Sequence, residues 1–541
     1  MFVQTTPSKR GDKTYLSYLV RESFRTPDGP RSRTVCNITG LPAHVRDLVA
    51  QALKGQRLVA VEQLQLENAL SYGGLAVLVD AWKRFGLEGV LEGVPQGRDR
   101  GLIQAMIFAR LLFPCAKLAL AQQAQGTLLA RACGLKTDES FDEDDLYAAM
   151  DQFNGRWVRM EKALYQRAFP KEVRLVLYDL TSVYFEGKGP KRLGRYGHSR
   201  DHRSDRPQII LAVATDLEGV PIHLEVLRGN RADTTTLLGL LAALQRRFGI
   251  QEAMFVFDGG MSSRLNLEAL DKAKLEYVTR LSSASFAALL EQLPSEDQPE
   301  LGDRQNILEV EHHAKRYVIA GGPWRQQRDL ERRQSRMAQA EVELKRLAAV
   351  KRKKRDAQKL ASQVGRMLVR KKAHKYFSYR VDEKGQLLWE RKTQTISDEQ
   401  RLDGWYLLHT NAVADKLSKE QVLGHYKGLL EVEEAFCELK SSLEVRPVFH
   451  WRPDRVRNHV RICFLAYWLS ARLGREWRGR QEAGEVVRIL RELQSIRVGT
   501  VRAGDQHVAT LLTEIPSNLN EQLSKLNLLA LFAQPPVWAE L

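Results

Sequence analysis

VRLVLYD, residues 173–179, decides the reading of this chain, because it is an apolar, β-prone run that stops on an acid, Asp179. Two more apolar runs follow, QIILAVATD at 208–216 and PIHLEVLRG at 221–229, flanking the turn residues LEGV. Runs of this length bounded by turn residues read as strands. Asp233 then opens an amphipathic stretch, TTTLLGLLAALQRRFG, which it is placed to cap as a helix with its charge at the favourable end of the dipole. AMFVFD at 253–258 is a fourth strand, and it too ends on an acid, Asp258, followed by Gly259 and Gly260. SSRLNLEALDKA reads as a helix and LEYVTRL as a last strand. The order across 169–281 is β-β-β-α-β-α-β, neither the repeated βα of a doubly wound sheet nor an all-β sandwich.

That order has a chemical consequence. If the first three strands form an antiparallel meander and the helix crosses back, the fourth strand lies parallel beside the first. Neighbouring strands are about 4.8 Å apart, and paired metals in phosphoryl-transfer sites sit about 3.5–4 Å apart. Asp179 and Asp258, at matching strand ends, can then share divalent cations. Gly259 and Gly260 allow a ligand or backbone to approach closely. Either acid alone reads first as an ordinary strand-end residue; the matched pair is what points to a site.

A third acid would come from a helix expected from near Ser418 to about Ser442, containing YKGLLEVEEAFCELK. Tyr426, Glu433 and Lys440 are spaced by seven, and a heptad drifts only about 20° around an α-helix. The three therefore share a face. Glu433 would complete the acid set, with Tyr426 and Lys440 toward a phosphodiester, the lysine as a point charge and the tyrosine as a donor. Glu431, Glu434 and Glu438 are competitors, and the shared face with Tyr426 and Lys440 is what favours Glu433.

Outward from this core the chain changes character. Residues 1–59 form a β-rich segment with the strand YLSYLV and the turn TPDGPRS. Residues 60–168 read as helical, through LENALSYGGLAVLVDAWKRFG and GLIQAMIFARLLF, and DESFDEDDLYAAMDQF gives that region an acidic helix start. Residues 282–417 interrupt the core with hairpins NILEVEHHAKRYVIAGG and YFSYRVDEKGQLLWERK, the strand GWYLLHTN and a pair of basic helices. Residues 418–475 carry the Glu433 helix, and 476–541 are expected to be helical.

The chain has 541 residues and a formal charge of +17. Between Arg325 and Lys375, 18 Lys and Arg stand against five Asp and Glu, so most of the excess is in one block. Lys351, Arg352, Lys353, Lys354 and Arg355 are its densest run, and such a block neutralises phosphates, unless it is only a solvated helical arm. The five cysteines, Cys36, Cys115, Cys133, Cys437 and Cys463, form no C-x-x-C pair, so a zinc site or disulfide framework is unsupported. The N-terminus lacks a secretion signal and no apolar run reaches the roughly 20 residues of a membrane span. A cytoplasmic protein is expected.

With these residues in view, the chain resembles the DDE transposases of bacterial insertion sequences, in the insertion-sequence-four superfamily branch. The resemblance rests on YDLTSVYFEG, HSRDHRSDRPQIILAV, GNRADTTTL, FDGGMSSRLNLEAL, DGWYLLHTN and LEVRPVFHWRPDRVRNHVRICFLA, in order across roughly 175–475. The branch has a late-helix signature, Tyr, two residues, Arg, three residues, Glu, six residues, Lys. Here it reads Tyr426, Leu429, Glu433, Lys440, with leucine at the arginine position, and Lys427 or Arg446 would have to supply that charge. The resemblance implies an RNase H-like α/β core interrupted by a β-rich insertion with a basic helical arm, and helical flanks of which 60–168 binds DNA ends. It implies two Mg²⁺ or Mn²⁺ ions on Asp179, Asp258 and Glu433. The implied partners are double-stranded DNA, as terminal inverted repeats and target, and further copies of the chain as a homodimer or higher synaptic multimer at the bacterial nucleoid. Trp324 and Trp389 are aromatic candidates for holding a flipped base, although packing is the commoner role for Trp. Two rival readings are an RNase H-like nuclease without strand transfer and a non-catalytic DNA-binding remnant.

Overall fold

The computed structural model describes the whole chain except residues 28, 57–60, 137–138, 295–298, 300, 302–305, 351–355, 384, 481–484, 504–505, 537 and 539–541. It falls into two units. The larger comprises Gly73–Ser495 with Gln522–Leu528, the smaller Met1–Tyr72, Ile496–Glu521 and Leu529–Leu541.

The apolar runs of 173–281 become strands of an eight-stranded mixed sheet in the larger unit. In chain order these are β1 (Leu175–Tyr184), β2 (Gln208–Thr215), β3 (Pro221–Arg228), β4 (Met254–Phe257), β5 (Glu276–Arg280), β6 (Leu308–His312), β7 (Lys315–Gly321) and β8 (Trp405–Thr410). Their spatial order is β6-β7-β8-β5-β4-β1-β2-β3. β1, β2 and β3 form the expected antiparallel meander. β4 lies parallel beside β1, and β5 parallel beside β4. β2 is buried at every position, which is why it reads as an unbroken apolar run rather than an alternating one.

Side chains alternate across a strand. Val176, Tyr178 and Leu180 of β1, with Ile210, Ala212, Phe255 and Phe257, form one core face. Helices α1 (Leu237–Ala243) and α2 (Arg264–Lys272) contribute Leu237, Leu240 and Leu270 to it. Asp179 therefore belongs to the opposite face. Asp233 departs from its expected capping role: Thr236 is the N-cap residue of α1, without a side-chain cap bond, and the Asp233 carboxylate instead accepts from Arg200 at 2.7 Å. A nearby guanidinium outcompetes the orphan amides.

The segment between β5 and the late helix is more integrated than an insertion set apart from the core. β6, β7 and β8 pair onto β5 and lengthen the same sheet. Between β7 and β8 run α3 (Pro323–Ala349), α4 (Ala357–Arg370), a separate hairpin of strands Phe377–Val381 and Leu387–Arg391, and a further helix, Thr393–Leu402. Met337, Ala340, Leu344 and Leu347 meet Leu360, Val364 and Met367 in a small core of their own, at the three- and four-residue spacing of a helical stripe. At its base Arg333, buried, pairs with Asp403, donating from one amino group at 2.7 Å.

The late helix begins at Ser418, whose side chain and Gln421 form a reciprocal capping box. It is divided: α5 (Lys419–Lys427) ends at Gly428, α6 (Leu429–Cys437) comes next, and a π-helical turn occupies Glu438–Ser442. α7 (Pro453–Trp477) is buried along most of its length, with proline in its first turn where no amide bond is lost.

Two stretches correct the sequence reading. Leu64–Ser71, expected within helical 60–168, is a strand; Arg497–Ala503 and Gln506–Leu512, expected within a helical 476–541, form a hairpin that pairs with it. Leu64, Leu66 and Leu70 carry a two-residue alternation that the longer apolar pattern masks. Their strand partner lies more than 400 residues away in sequence. Phe2–Arg10, Lys13–Thr26 and Gly29–Asn37 form the expected β-rich start as a three-stranded antiparallel sheet.

Candidate active site

The parallel register β1–β4–β5 aligns Tyr178 with Phe257 and Phe257 with Thr279. The next residues are Asp179 on β1, Asp258 just past the end of β4, and Arg280 at the end of β5. Two acids and an arginine thus stand in a row, each about 4.8 Å from the next in the hydrogen-bonding direction. Gly259 has a backbone reason to be glycine, since a Cβ there would lie 2.7 Å from the carbonyl oxygen of Arg280.

Asp179 is half-buried, and its carboxyl is pushed up to about 7. Burial is the main cause; the Leu180 amide and Arg200 oppose it, and the charges of Asp258 and Glu433 add to it. The charges of Asp258 and Glu433 therefore both reach Asp179. Asp258 and Glu433 are exposed. Tyr426 donates its hydroxyl to Asp258 Oδ1 at 3.2 Å. Its phenol is raised by burial and by Asp258, so it remains a donor.

The competitors of Glu433 face elsewhere. Glu431, Glu434 and Glu438 line a cavity with Gly219, Tyr467 and Arg478. Glu438 is raised to about 7 by burial, against a bond from Ser470. Glu433 is the helix glutamate whose charge reaches Asp179.

The last member of the heptad is held within the protein. Lys440 lies on the π-helical turn, which adds a residue to the turn and rotates the side chains beyond it. Its ammonium meets Asp201 Oδ1 at 2.8 Å, and Arg446 meets the same oxygen at 2.8 Å. Asp201 and Lys440 are 4% and 11% exposed, so both expected DNA cations are engaged within the protein. Burial lowers the Lys440 ammonium, and its bond to Asp201 opposes that. Lys427 is exposed and Leu429 half-buried. Lys351, Arg352, Lys353, Lys354 and Arg355 lie outside the described residues.

Three side chains beside Asp258 escaped the sequence reading. Tyr406 of β8 lies 5.9 Å from the Tyr426 ring. The guanidiniums of Arg325 and Arg280 stand 4.7 and 6.0 Å from the Tyr406 ring centre. Arg325 is lowered by burial and by Arg280, and its Nε has no hydrogen-bond partner among the described residues. The available signal was the arginine next to last in LEYVTRL, one strand over from Asp258. Trp324 is 72% exposed, with Arg328 4.6 Å from its ring centre. Trp389 is half-buried against Phe377 at 5.8 Å, a packing role.

Among the described residues no group of three or more His, Cys, Asp or Glu side chains is gathered so as to hold a metal ion as it stands. The donor chemistry of Asp179, Asp258 and Glu433 nonetheless suits a hard divalent cation, because all three offer carboxylate oxygens. Burial is the main reason Asp179 is raised, with smaller contributions from Asp258 and Glu433, and a cation bound there would favour its ionised form.

Comparison with known proteins gives a family match and several similar solved structures. The family described as "Transposase DDE domain" matches residues 171–469. Among solved structures, the piggyBac transposase synaptic complex with hairpin DNA, determined by cryo-EM, is similar with a TM-score of 0.39 and 8% identity, over 89% of each chain. No curated protein matches.

Proposed function

The chain belongs to the DDE transposase family, and from that premise we propose that it cuts DNA at the ends of an insertion sequence and joins the freed ends to a new site. The observation that carries this reading is the register that pairs Tyr178 with Phe257 and so brings the residues that follow, Asp179 and Asp258, level with each other, with the charge of Glu433 reaching Asp179. The order β3-β2-β1-β4-β5 supports an RNase H-like core, with 282–417 as its insertion and the helical part of 60–168, from Gly73 on, as the end-binding domain. The substrate is double-stranded DNA, carrying terminal inverted repeats or serving as target. The working form is a homodimer or larger synaptic multimer in the cytoplasm, at a bacterial nucleoid.

Asp179, Asp258 and Glu433 are the residues that would hold two Mg²⁺ or Mn²⁺ ions. Such ions, when bound, activate water and stabilise the leaving oxygen. Tyr426 holds Asp258 in place through its hydroxyl. Arg280 and Arg325 offer charge-assisted bonds to the non-bridging oxygens of a phosphodiester beside Asp258. In the first step water oxygen bonds to phosphorus, the bond from phosphorus to the 3′ oxygen breaks, and that oxygen takes a proton. In the second, the freed 3′-OH attacks a target phosphodiester and displaces a target 3′ oxygen.

The test uses a labelled duplex carrying the inverted repeats that flank the gene, with Mg²⁺. Cut and joined products together are expected. Cutting without joining would make the protein a nuclease, and binding without cutting would make it a remnant.

A further inference from the structure

A second surface on the same sheet has the chemistry of a nucleic-acid track. β3 is the edge strand, and the register aligns Arg228 with Ile209, and Ile209 with Val183 of β1. Val183 is four residues beyond Asp179. Four residues of strand cover about 14 Å and two strand spacings about 10 Å, so Arg228 stands about 17 Å from Asp179. A groove of ≈ 810 Å³ opens there, lined by Arg192, Arg228, Arg231, Arg457, Pro453 and Asp454 among others. Four guanidiniums share one carboxylate. Asp454 lies 3.5 Å from Arg457, and Arg231 donates to the Thr235 carbonyl at 3.2 Å. Arg192 and Arg228, both exposed, have no acidic partner among the described residues.

Two residues before Pro453 the chain alternates outward and inward. Phe449 and Trp451 are 63% and 69% exposed. His450 between them turns in, 5.0 Å from the His459 ring and 5.8 Å from that of Tyr147. The loop is fixed to the end of β1, since the Val448 amide donates to the Tyr184 carbonyl at 3.1 Å and the Glu186 amide to the Val448 carbonyl at 3.0 Å. Two large aromatics are thus held in solvent by an anchored loop beside uncompensated cations.

We propose that this face binds an unpaired DNA strand, the arginine groove taking its phosphates and Phe449 and Trp451 stacking on its bases. A charged groove with aromatic platforms is how proteins hold single strands, because only an unstacked base offers its flat face. The proposal rests on the transposase reading for the nucleic acid being DNA. It places unpaired bases a few nucleotides from the cut.

The experiment is fluorescence anisotropy of a labelled single-stranded oligonucleotide of mixed sequence and of its duplex, in EDTA, with the full chain. Phe449→Ala and Trp451→Ala should each weaken single-strand binding about 10-fold, and Trp451→Phe less than about threefold. Arg192→Gln with Arg228→Gln should reduce the slope of log affinity against log salt by about 0.7 for each lost contact. Duplex affinity should stay nearly constant in the aromatic variants. Both aromatic side chains are exposed, and unchanged melting temperatures verify folding. Wild-type single-strand affinity in both alanine variants would overturn the proposal, as would an equal loss on duplex. A smaller species in sedimentation for Trp451→Ala, with single-strand affinity unchanged, would assign the aromatics to a contact between copies and overturn it too. Cleavage measured in parallel separates the two readings: a protein that binds unpaired DNA through these residues but never cuts fails the transposase reading and leaves this surface standing.

Discussion

Replacing Lys440 by methionine tests whether this lysine serves the protein or the DNA. In the structure it shares Asp201 Oδ1 with Arg446, each at 2.8 Å. At that distance and an effective dielectric constant near 20 the gross attraction is about 6 kcal/mol per pair, most of it offset by desolvation. Truncating one partner of a buried pair costs about 3–5 kcal/mol when it strands the other. Lys440→Met does not strand Asp201, because Arg446 still neutralises it, so about 2 kcal/mol is expected. Asp201→Ala strands two cations and should reach about 4 kcal/mol. Unfolding entropy of about 2.1 cal/mol/K per residue, over a unit of about 430 residues, converts these to Tm losses of about 2 and 4 °C. The double variant should lose less than the sum, since both changes remove one interaction. The assay is thermal unfolding without DNA or metal, alongside DNA binding. A Lys440→Met protein that melts with the wild type but binds DNA with a shallower salt slope would refute the structural role and return Lys440 to the phosphate.

Asp179→Asn and Asp258→Asn should each abolish Mg²⁺-dependent cleavage in a gel assay while end binding and melting stay near wild type. Glu433→Gln should be as inactive, whereas Glu431→Gln and Glu434→Gln should retain cleavage; the reverse pattern would mean that the wrong helix face has been assigned. Changing Lys351, Arg352, Lys353, Lys354 and Arg355 to Gln should flatten the salt dependence of duplex binding by about 0.9 per lost phosphate contact, and an unchanged slope would leave them a solvated run. Glu161, fully buried, accepts from His223, the Leu224 amide and Arg247 at 2.9, 3.1 and 2.8 Å. Burial raises its carboxyl, but those partners together hold it below the ordinary 4.5. Its stabilisation is therefore full above about pH 4.5 and lost as pH falls through the lower folded value. Glu161→Gln should melt below wild type at neutral pH, with the gap closing in acid; a gap independent of pH would rule this out.

The parts of the fold visible in sequence were those set by local pattern. The five strands and two helices of 173–281 followed from apolar runs and their punctuation, and the adjacency of Asp179 and Asp258 followed from how such an order must connect. The helix start near Ser418 was legible, and the structure closes it with a cap to Gln421, three residues on. What stayed hidden depended on distant partners. Leu64–Ser71 is a strand because Arg497–Ala503 lies beside it. β6, β7 and β8 join the central sheet because β5 leaves an edge free, which no property of NILEVEHH or GWYLLHT announces. Lys440 meets Asp201, a partner far away in sequence, and Arg280 comes level with Asp258 through a register between strands.

Gly321 and Trp405 are paired across β7 and β8, and the Gly322 amide donates to the Gly404 carbonyl at 3.2 Å. Everything from 323 to 403 therefore leaves and re-enters at one point, like a very long hairpin loop. Closing a loop costs only logarithmically more as it lengthens, so shortening some 80 residues to a tight turn would recover about 2.5 kcal/mol of entropy without shifting a strand. Such a root makes the helical arm an exchangeable cassette. Arg325 and Trp324 sit on the cassette, whereas Asp179, Asp258 and Arg280 sit on the frame. On the proposed reading, residues of the arm that would contact DNA and frame carboxylates that would hold the metal ions are thereby free to diverge at different speeds.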